Sequence, residues 1–360
     1  MRKRLRVLII PGFCPCGEEI YRSLLYSTYY EPIRRKNIDR LFWDSGKVED
    51  AKYTLAEEVR KLGVDILYAA SIEFEKFLEY NHYYFEEKKS VFKKSLSQEI
   101  EQDLQAGLSE LVNDGAVKLD CFTNLEGKLV LSLGMEFKKE HGANICRRIE
   151  NDALKTIAEE QNDRLKPKGF WSLWLKRQEK GFSLRNLRFD IDPTHKLWRS
   201  YGVNFPRLHL DTLSGMNVEK ILINSCKSEL ALYDFSNYLS TDLIFDRIYI
   251  DYDDTVTINT GEKIVLNEEA ISLCIKCKNK GIPVILISKH DGDLRAEIKE
   301  FGIENMFSEV IHLERKPGVE KADYIEGDNP ILLDDSFGER WKAGSILGIN
   351  TFEPCMMEFL

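Results

Sequence analysis

Apolar and polar positions alternate along this chain in two different periods, and the switches between them mark out its units. VLII (Val7 to Ile10) is a short apolar strand, followed by a loop and a segment with Ile20, Leu24 and Leu25 on one helical face. LAEEVRKLG reads as a helix stopped by Gly63, and VDILYAAS as the next strand. Strand alternating with helix predicts a parallel, Rossmann-like sheet. No GxGxxG follows the first strand, so dinucleotide binding has no support. Residues 86–117 mix Lys, Glu, Ser and Gln and predict one or two solvated helices, with a basic contact surface at Lys88 to Lys94 as the alternative.

The middle of the chain changes to period two. VKLDCFTNLEGKLVLSLGMEF predicts a hairpin turning at Asn124 to Gly127. NDALKTIAEEQNDRLK predicts an amphipathic helix with Leu154, Ile157, Ala158 and Leu165 inward, ending before Pro167. FWSLWLKRQEKGFSLRNLRFDI predicts a second hairpin turning at Glu179 to Gly181, with Phe170, Trp171 and Trp174 in the core. From Pro206 to Asp242 the expectation is a connector with helices over MNVEKILINSC and SELALYDFSNYL. Three apolar strands then end in polar residues: Ile248 to Ile250, Val284 to Ile287 and Ile331 to Leu333.

Composition narrows the class. The 360 residues allow two or three domains, and 43% hydrophobic with 31% charged residues is ordinary for a soluble protein. A net charge of -9 argues against broad nucleic-acid or anionic-membrane binding. No apolar run reaches the length of a membrane span, and VLII is too short for a signal peptide, so a cytoplasmic protein is expected. The eight cysteines form no disulfide framework in so long a chain; Cys274 and Cys277 recur at helical spacing with Ala270 and Leu273 and read as core thiols.

Chemistry concentrates at the ends of those last three strands. The first stops in Asp251, Asp253 and Asp254, and Asp251 and Asp253, two apart, share one face if extended. Two converging carboxylates need a cation or a shared proton, which makes Mg²⁺ the first expectation. The second strand ends in Ser288 and the third in the pair Asp334 and Asp335, with Lys316 and Lys321 between them. Acid, hydroxyl, lysine and acid pair together make a kit for phosphoryl transfer: a nucleophile, a proton donor, groups for the equatorial oxygens and a metal site.

This order resembles the haloacid dehalogenase (HAD) superfamily of phosphatases, whose four motifs match DYDDT, the strand ending in Ser288, a lysine and the DD pair. The resemblance implies Asp251 as nucleophile and Asp253 as general acid and base. It implies Mg²⁺ held by Asp251, Asp334, Asp335 and the backbone carbonyl of Asp253, and Ser288 on a phosphoryl oxygen. Lys321 is the preferred motif lysine, since KADYI before LLDDSFGER is similar to capless members; Lys316 is the second candidate. Thr255, Lys289 and His290 are the expected substrate-binding residues, and Glu339 and Arg340 are expected to orient the loop after Asp335. Asp251 and Ser288 lie 37 positions apart and Ser288 and Lys321 33, room for crossovers but not for an inserted cap. The attached N-terminal region is then the natural cover for an open site.

PCGEEIYRSLLYS, LDCFTNLEGKLV, GFWSLWLK and SYGVNFPRL are also similar to bacterial ATP-grasp proteins of the carbamoyl-phosphate-synthase-like kind that carry a C-terminal phosphatase domain. The interval for a nucleotide-clamping lobe is only about thirty residues. The strand before GVNF carries no metal-binding glutamate, with Asp190 and Asp192 as the conceivable substitutes. The expected fold class is therefore α/β in three parts: a Rossmann-like pre-ATP-grasp unit with its charged bridge over 1–117, a truncated α+β ATP-grasp-like region and connector over 118–244, and a HAD-like three-layer α/β domain with a parallel sheet over 245–360. The expected function is Mg²⁺-dependent hydrolysis of a phosphorylated small molecule or sugar intermediate, with no membrane or nucleic-acid partner. The alternatives are a non-catalytic binding module and an ATP-grasp carboxylate-amine ligase.

Overall fold

The computed structural model describes the chain except for residues 1–3, 44–47, 72–73, 75, 79–88, 91–110, 113–114 and 234–235. The expected bridging helices and the basic Lys88 to Lys94 surface lie almost wholly outside the described residues. The N-terminal part is a strand–helix alternation: β1 (Leu5–Ile10), α1 (Pro15–Leu24), β2 (Tyr30–Ile33), α2 (Lys36–Trp43), α3 (Val48–Leu62), β3 (Ile66–Ala69) and the two-residue β4 (Lys89–Ser90). Its sheet has the order β2-β1-β3-β4, all neighbours parallel. Val7 to Ile10 are wholly buried because helices and the central sheet cover both faces of β1. The chain passes from β1 into α1 through a turn where Gly17 is required: a Cβ there would stand 2.2 Å from the Pro11 carbonyl oxygen.

The middle part is a seven-stranded sheet. Its strands are β5 (Ala116–Thr123), β6 (Leu129–Glu140), β7 (Ala143–Ile149), β8 (Gly169–Arg177), β9 (Phe182–Arg188), β10 (Ser228–Leu232) and β11 (Asn237–Thr241), in the order β11-β10-β7-β6-β5-β8-β9 and antiparallel throughout. Helix α4 (Asp152–Leu165) covers one face through Leu154 and Ala158, capped by the Asn151 side chain on the Ala153 amide. Helices α5 (His195–Ser200) and α6 (Phe205–Leu213) pack on the other.

The connector departs from expectation. MNVEKILINSC runs extended without a helix, and SELALYDFSNYL supplies β10 and β11 rather than a helix. In β10, Ser228 and Leu230 are buried while Glu229 is exposed, a period-two pattern, and the free edge of β7 offers the unpaired backbone groups that make it a strand. β7 itself, KEHGANICRRI after a tight turn, also went beyond the expected two hairpins.

The C-terminal part is a five-stranded, all-parallel sheet of order β16-β15-β12-β17-β18, from β12 (Arg247–Ile250), β15 (Val284–Ser288), β16 (Glu309–His312), β17 (Pro330–Leu333) and β18 (Asn350–Phe352). A small hairpin, β13 (Thr257–Asn259) with β14 (Ile264–Leu266), follows the first strand. Helices α7 (Glu268–Asn279), α8 (Leu294–Glu300) and α9 (Phe337–Leu347) complete three layers. Ile248, Ile250, Leu286, Ile331 and Leu333 face one core with Cys274 and Cys277 of α7; Tyr249, Ile285, Ile287 and Leu332 face the other with Ala343 of α9. Two buried faces explain why these strands read as continuous apolar runs. No helix among the described residues is long and apolar enough to cross a membrane.

Charged side chains join the parts. Arg199, 1% exposed, donates to Glu19 of α1 at 2.6 and 3.1 Å, to the Cys355 carbonyl at 3.0 Å, and pairs with Glu358 at 2.8 Å. Asn224 exchanges two 2.9 Å hydrogen bonds with the backbone of Thr351. Removing one partner of a buried ion pair leaves the others desolvated and uncompensated. Arg199→Met is therefore expected to lower stability by about 3–5 kcal/mol, read as a shift of the urea unfolding midpoint.

Candidate active site

Three carboxyl groups converge at the carboxyl edge of the C-terminal sheet, the edge where open α/β sheets place their ligands. Asp251 follows β12, and Asp334 and Asp335 follow the adjacent β17; each offers one oxygen, all within 4.8 Å of one another. Parallel pairing of Ile250 with Leu333 puts the two strand ends side by side. Asp251 and Asp334 are buried and Asp335 half-buried. Lys321, 3% exposed, enters between the first two: its Nζ donates to Asp251 Oδ1 and, at 2.6 Å, to Asp334 Oδ2. Ser288, at the tip of β15 on the other side of β12, directs its hydroxyl to Asp251.

The electrostatics follow from burial. Burial pushes Asp251 above the usual carboxylate range, with Lys321 opposing. It pushes Asp334 up to about 6, again against Lys321, with Asp251 adding to the rise. Asp335 is pushed up to about 8 by burial and then by the charges of Asp251 and Asp334. Burial alone would lower Lys321, but the charges of Asp251 and Asp334 outweigh it and hold the ammonium above its ordinary value. One ammonium thus stands against three carboxyl groups, an excess of negative charge that hard oxygen donors present to a divalent cation. The donor set fits such an ion.

The chain makes a single wide turn after Asp251, over Tyr252 to Val256, in which Asp254 takes a left-handed φ of 55°. That turn aims the Asp253 side chain away from the three carboxylates and toward the rim. Both its oxygens lie 3.1 Å from His290 Nδ1, and His290 Nε2 lies 2.9 Å from Glu297 of α8. Burial lowers the His290 pKa, but its hydrogen bonds to Asp253 and Glu297 raise it more, so the net shift is upward. His290 therefore supports an acid rather than standing free for substrate, the position expected of it. Glu297 was not anticipated; its spacing of seven from His290 carries no signal until α8 folds back.

Two other expected substrate contacts sit differently. Lys289 turns to Glu339 at 2.6 Å and Glu320 at 3.5 Å, because the strand's alternation sends it to the side opposite Ser288. The Thr255 hydroxyl is fully buried, without a hydrogen-bond partner, while its carbonyl accepts from Asn267. Lys316 is exposed and pairs with Glu314, so Lys321 is the lysine brought to the cluster. Arg340 of α9 donates to the carbonyls of Asp334 and Asp335 at 2.6 and 2.9 Å, and Glu339 accepts from the Lys321 amide at 3.2 Å. The N-terminal part reaches the same edge: Arg4 donates to the Asn259 carbonyl of β13 at 2.7 Å, and Tyr26, Ser27 and Arg207 line a small crevice with Asp335.

The middle sheet holds a second polar group of a different kind. Asp192 and Asp120 bind the Lys118 ammonium at 2.8 and 3.0 Å, and Trp198 Nε1 donates to Asp120 at 2.6 Å. Lys118 and Asp120 are wholly inaccessible, and Asp190 is engaged by Arg188. The acid pair Asp190 and Asp192, expected as a substitute for a metal-binding glutamate, is neutralised by the chain's own cations.

No family model matches the chain, and no curated protein matches it in sequence. Among solved structures, one titled as glycinamide-RNase-transformylase T from Mycobacterium tuberculosis is similar with 13% identity, over 62% of this chain and 84% of its own, with a TM-score of 0.42. A HAD-superfamily hydrolase from Ehrlichia chaffeensis is similar with 19% identity, over 25% of this chain and 49% of its own, with a TM-score of 0.21. At these values neither likeness assigns a family or an activity.

Raised carboxyl pKa values have a definite consequence for stability. The folded, metal-free protein holds protons on Asp334 and Asp335 that an unfolded chain, with pKa near 3.8, releases. Stability of the metal-free protein from these groups is therefore present at pH 4 and lost progressively as pH rises toward 8. Asp335→Asn is expected to raise the melting temperature of the metal-free protein at pH 8 and to weaken Mg²⁺ binding. Thermal unfolding with and without Mg²⁺ at pH 5 and 8 measures both.

Proposed function

We propose that this protein is a Mg²⁺-dependent phosphohydrolase that works through an aspartyl-phosphate on Asp251. The observation that carries the reading is the placing of Lys321 between Asp251 and Asp334, with Asp335 beside them and Ser288 on the flank. A carboxylate oxygen kept close to an ammonium and a hydroxyl has its phosphoryl-binding groups already built around it, so little reorganisation is left for the reaction. Asp251, Asp334, Asp335 and the Asp253 carbonyl would hold the cation, which when bound neutralises charge on the phosphoryl oxygens.

In the first step an Asp251 oxygen attacks phosphorus. The P–O bond to the leaving group breaks, and Asp253 supplies the proton that makes the leaving oxygen an alcohol. In the second, water attacks the aspartyl-phosphate, Asp253 takes its proton, and inorganic phosphate leaves with the Asp251 carboxylate restored. Lys321 and Ser288 hold the equatorial oxygens in both. His290, braced by Glu297, fixes the direction of Asp253 from behind, as a positioning residue. The partner this reading requires is a phosphorylated small molecule. The ligase alternative has no specific support: the acids it would use are occupied by Lys118 and Arg188.

The test is hydrolysis of an aryl phosphate with Mg²⁺. Asp251→Asn should cost on the order of 10³-fold or more in kcat. Asp253→Asn should cost roughly 10²–10⁴-fold with an alkyl phosphate and markedly less with an aryl phosphate, whose leaving group needs no proton. Full activity in Asp251→Asn would rule out the covalent mechanism.

A further inference from the structure

Beside the catalytic edge lies a cavity of about 370 Å³, between the extended segment after α6 and the C-terminal part. Tyr29, Leu208, Met216, Val218, Ile221 and Phe337 supply its apolar walls. Two of these rings are open to it rather than packed away: Tyr29 is 39% and Phe337 40% exposed, although both sit where parts of the molecule meet. The volume is that of a small-molecule site. Its position is the more informative property. Arg207 and Glu353 line this cavity and also line the crevice that contains Asp335, so the cavity is one ion pair away from the acid pair. Phe337 opens the helix that directly follows Asp334 and Asp335, and Arg340, also in the lining, holds their two carbonyls.

We infer that this cavity receives the organic part of the substrate, and that the substrate is a phosphate monoester of a bulky, largely apolar alcohol. The inference rests on the phosphatase reading and names the substrate class for that same site. The polar groups in the cavity decide the class. Arg207 is bound by Glu353 at 3.0 Å, Arg340 by Glu353 at 2.8 Å, and Asn204 donates to Glu353 at 3.2 Å. A sugar brought into this space would give up its hydrogen bonds to water for partners already engaged with one another, which is costly. A hydrocarbon body gives up nothing and gains the burial of its own surface together with that of Tyr29 and Phe337. The walls come from the middle of the chain and the chemistry from its end, so the attached region would select substrate as well as cover the site.

A series of ethyl, butyl and hexyl phosphate tests this without changing the leaving-group chemistry. With wild type and Mg²⁺, kcat/KM should rise roughly two- to fourfold per added methylene. Val218→Trp, which fills the cavity from the extended segment, should flatten the rise; Met216→Trp on the same wall serves if the first variant does not fold, as judged by its thermal melt. Hydrolysis of all three esters with no rise in wild type overturns this inference alone. Hydrolysis of none, and of no aryl phosphate, overturns the phosphatase reading and this inference with it.

Discussion

The Lys321 ammonium between Asp251 and Asp334 is the contact on which the catalytic edge depends. Carboxylates at the tips of adjacent buried strands, within 4.8 Å of a third, repel one another where water screens them least. Without a counter-charge the strands could not end in these residues and stay paired. Lys321 neutralises part of that charge, and its own burial is compensated by the pair it binds. The imbalance that is left, one ammonium against three carboxyl groups, is what a divalent cation would relieve. The same feature that costs stability in the metal-free state therefore prepares the proposed chemistry.

A second layer of ion pairs carries this edge into the rest of the molecule. Arg340 holds the carbonyls of Asp334 and Asp335 and is itself held by Glu353, which also binds Arg207 of α6. Arg199 ties α5 to Glu19 of α1 and to Glu358 near the C-terminal end. Buried pairs of this kind add little net stability relative to apolar packing, but they are demanding in geometry. They fix where α1, α6 and the extended segment stand against the catalytic edge. The cavity between them follows from that placement.

Much of the candidate site was readable from strand ends alone. Apolar runs stopping at Asp251, Ser288 and Asp334 needed only the rule that parallel strands present their carboxyl tips together, and the structure brings those three residues into one place. Lys321 rather than Lys316 was harder, since both are lysines in a loop; the short helical turn at Lys321–Tyr324 turns one inward and leaves the other with Glu314. His290 beside Ser288 was visible as a neighbour, but its partner Glu297 was not. Lys289 shows the limit of adjacency in sequence: next to a site residue on a strand, it faces the opposite side.

The chain's own pattern determined its local elements: the parallel unit at the start, the first hairpins, α4, and the three apolar strands with their polar ends. These follow from period, turn residues and caps, interactions between residues close in sequence. Tertiary structure alone decided the rest. The segment 228–241 became two strands because β7 had an open edge to fill, and Asp192 became a buried structural charge because Lys118, seventy-four positions away, faced it. The cavity behind the acid pair exists only where residues 29, 207–222 and 337–353 meet. No local pattern encodes such a meeting, since its energy is paid out between surfaces that find each other only after each has folded.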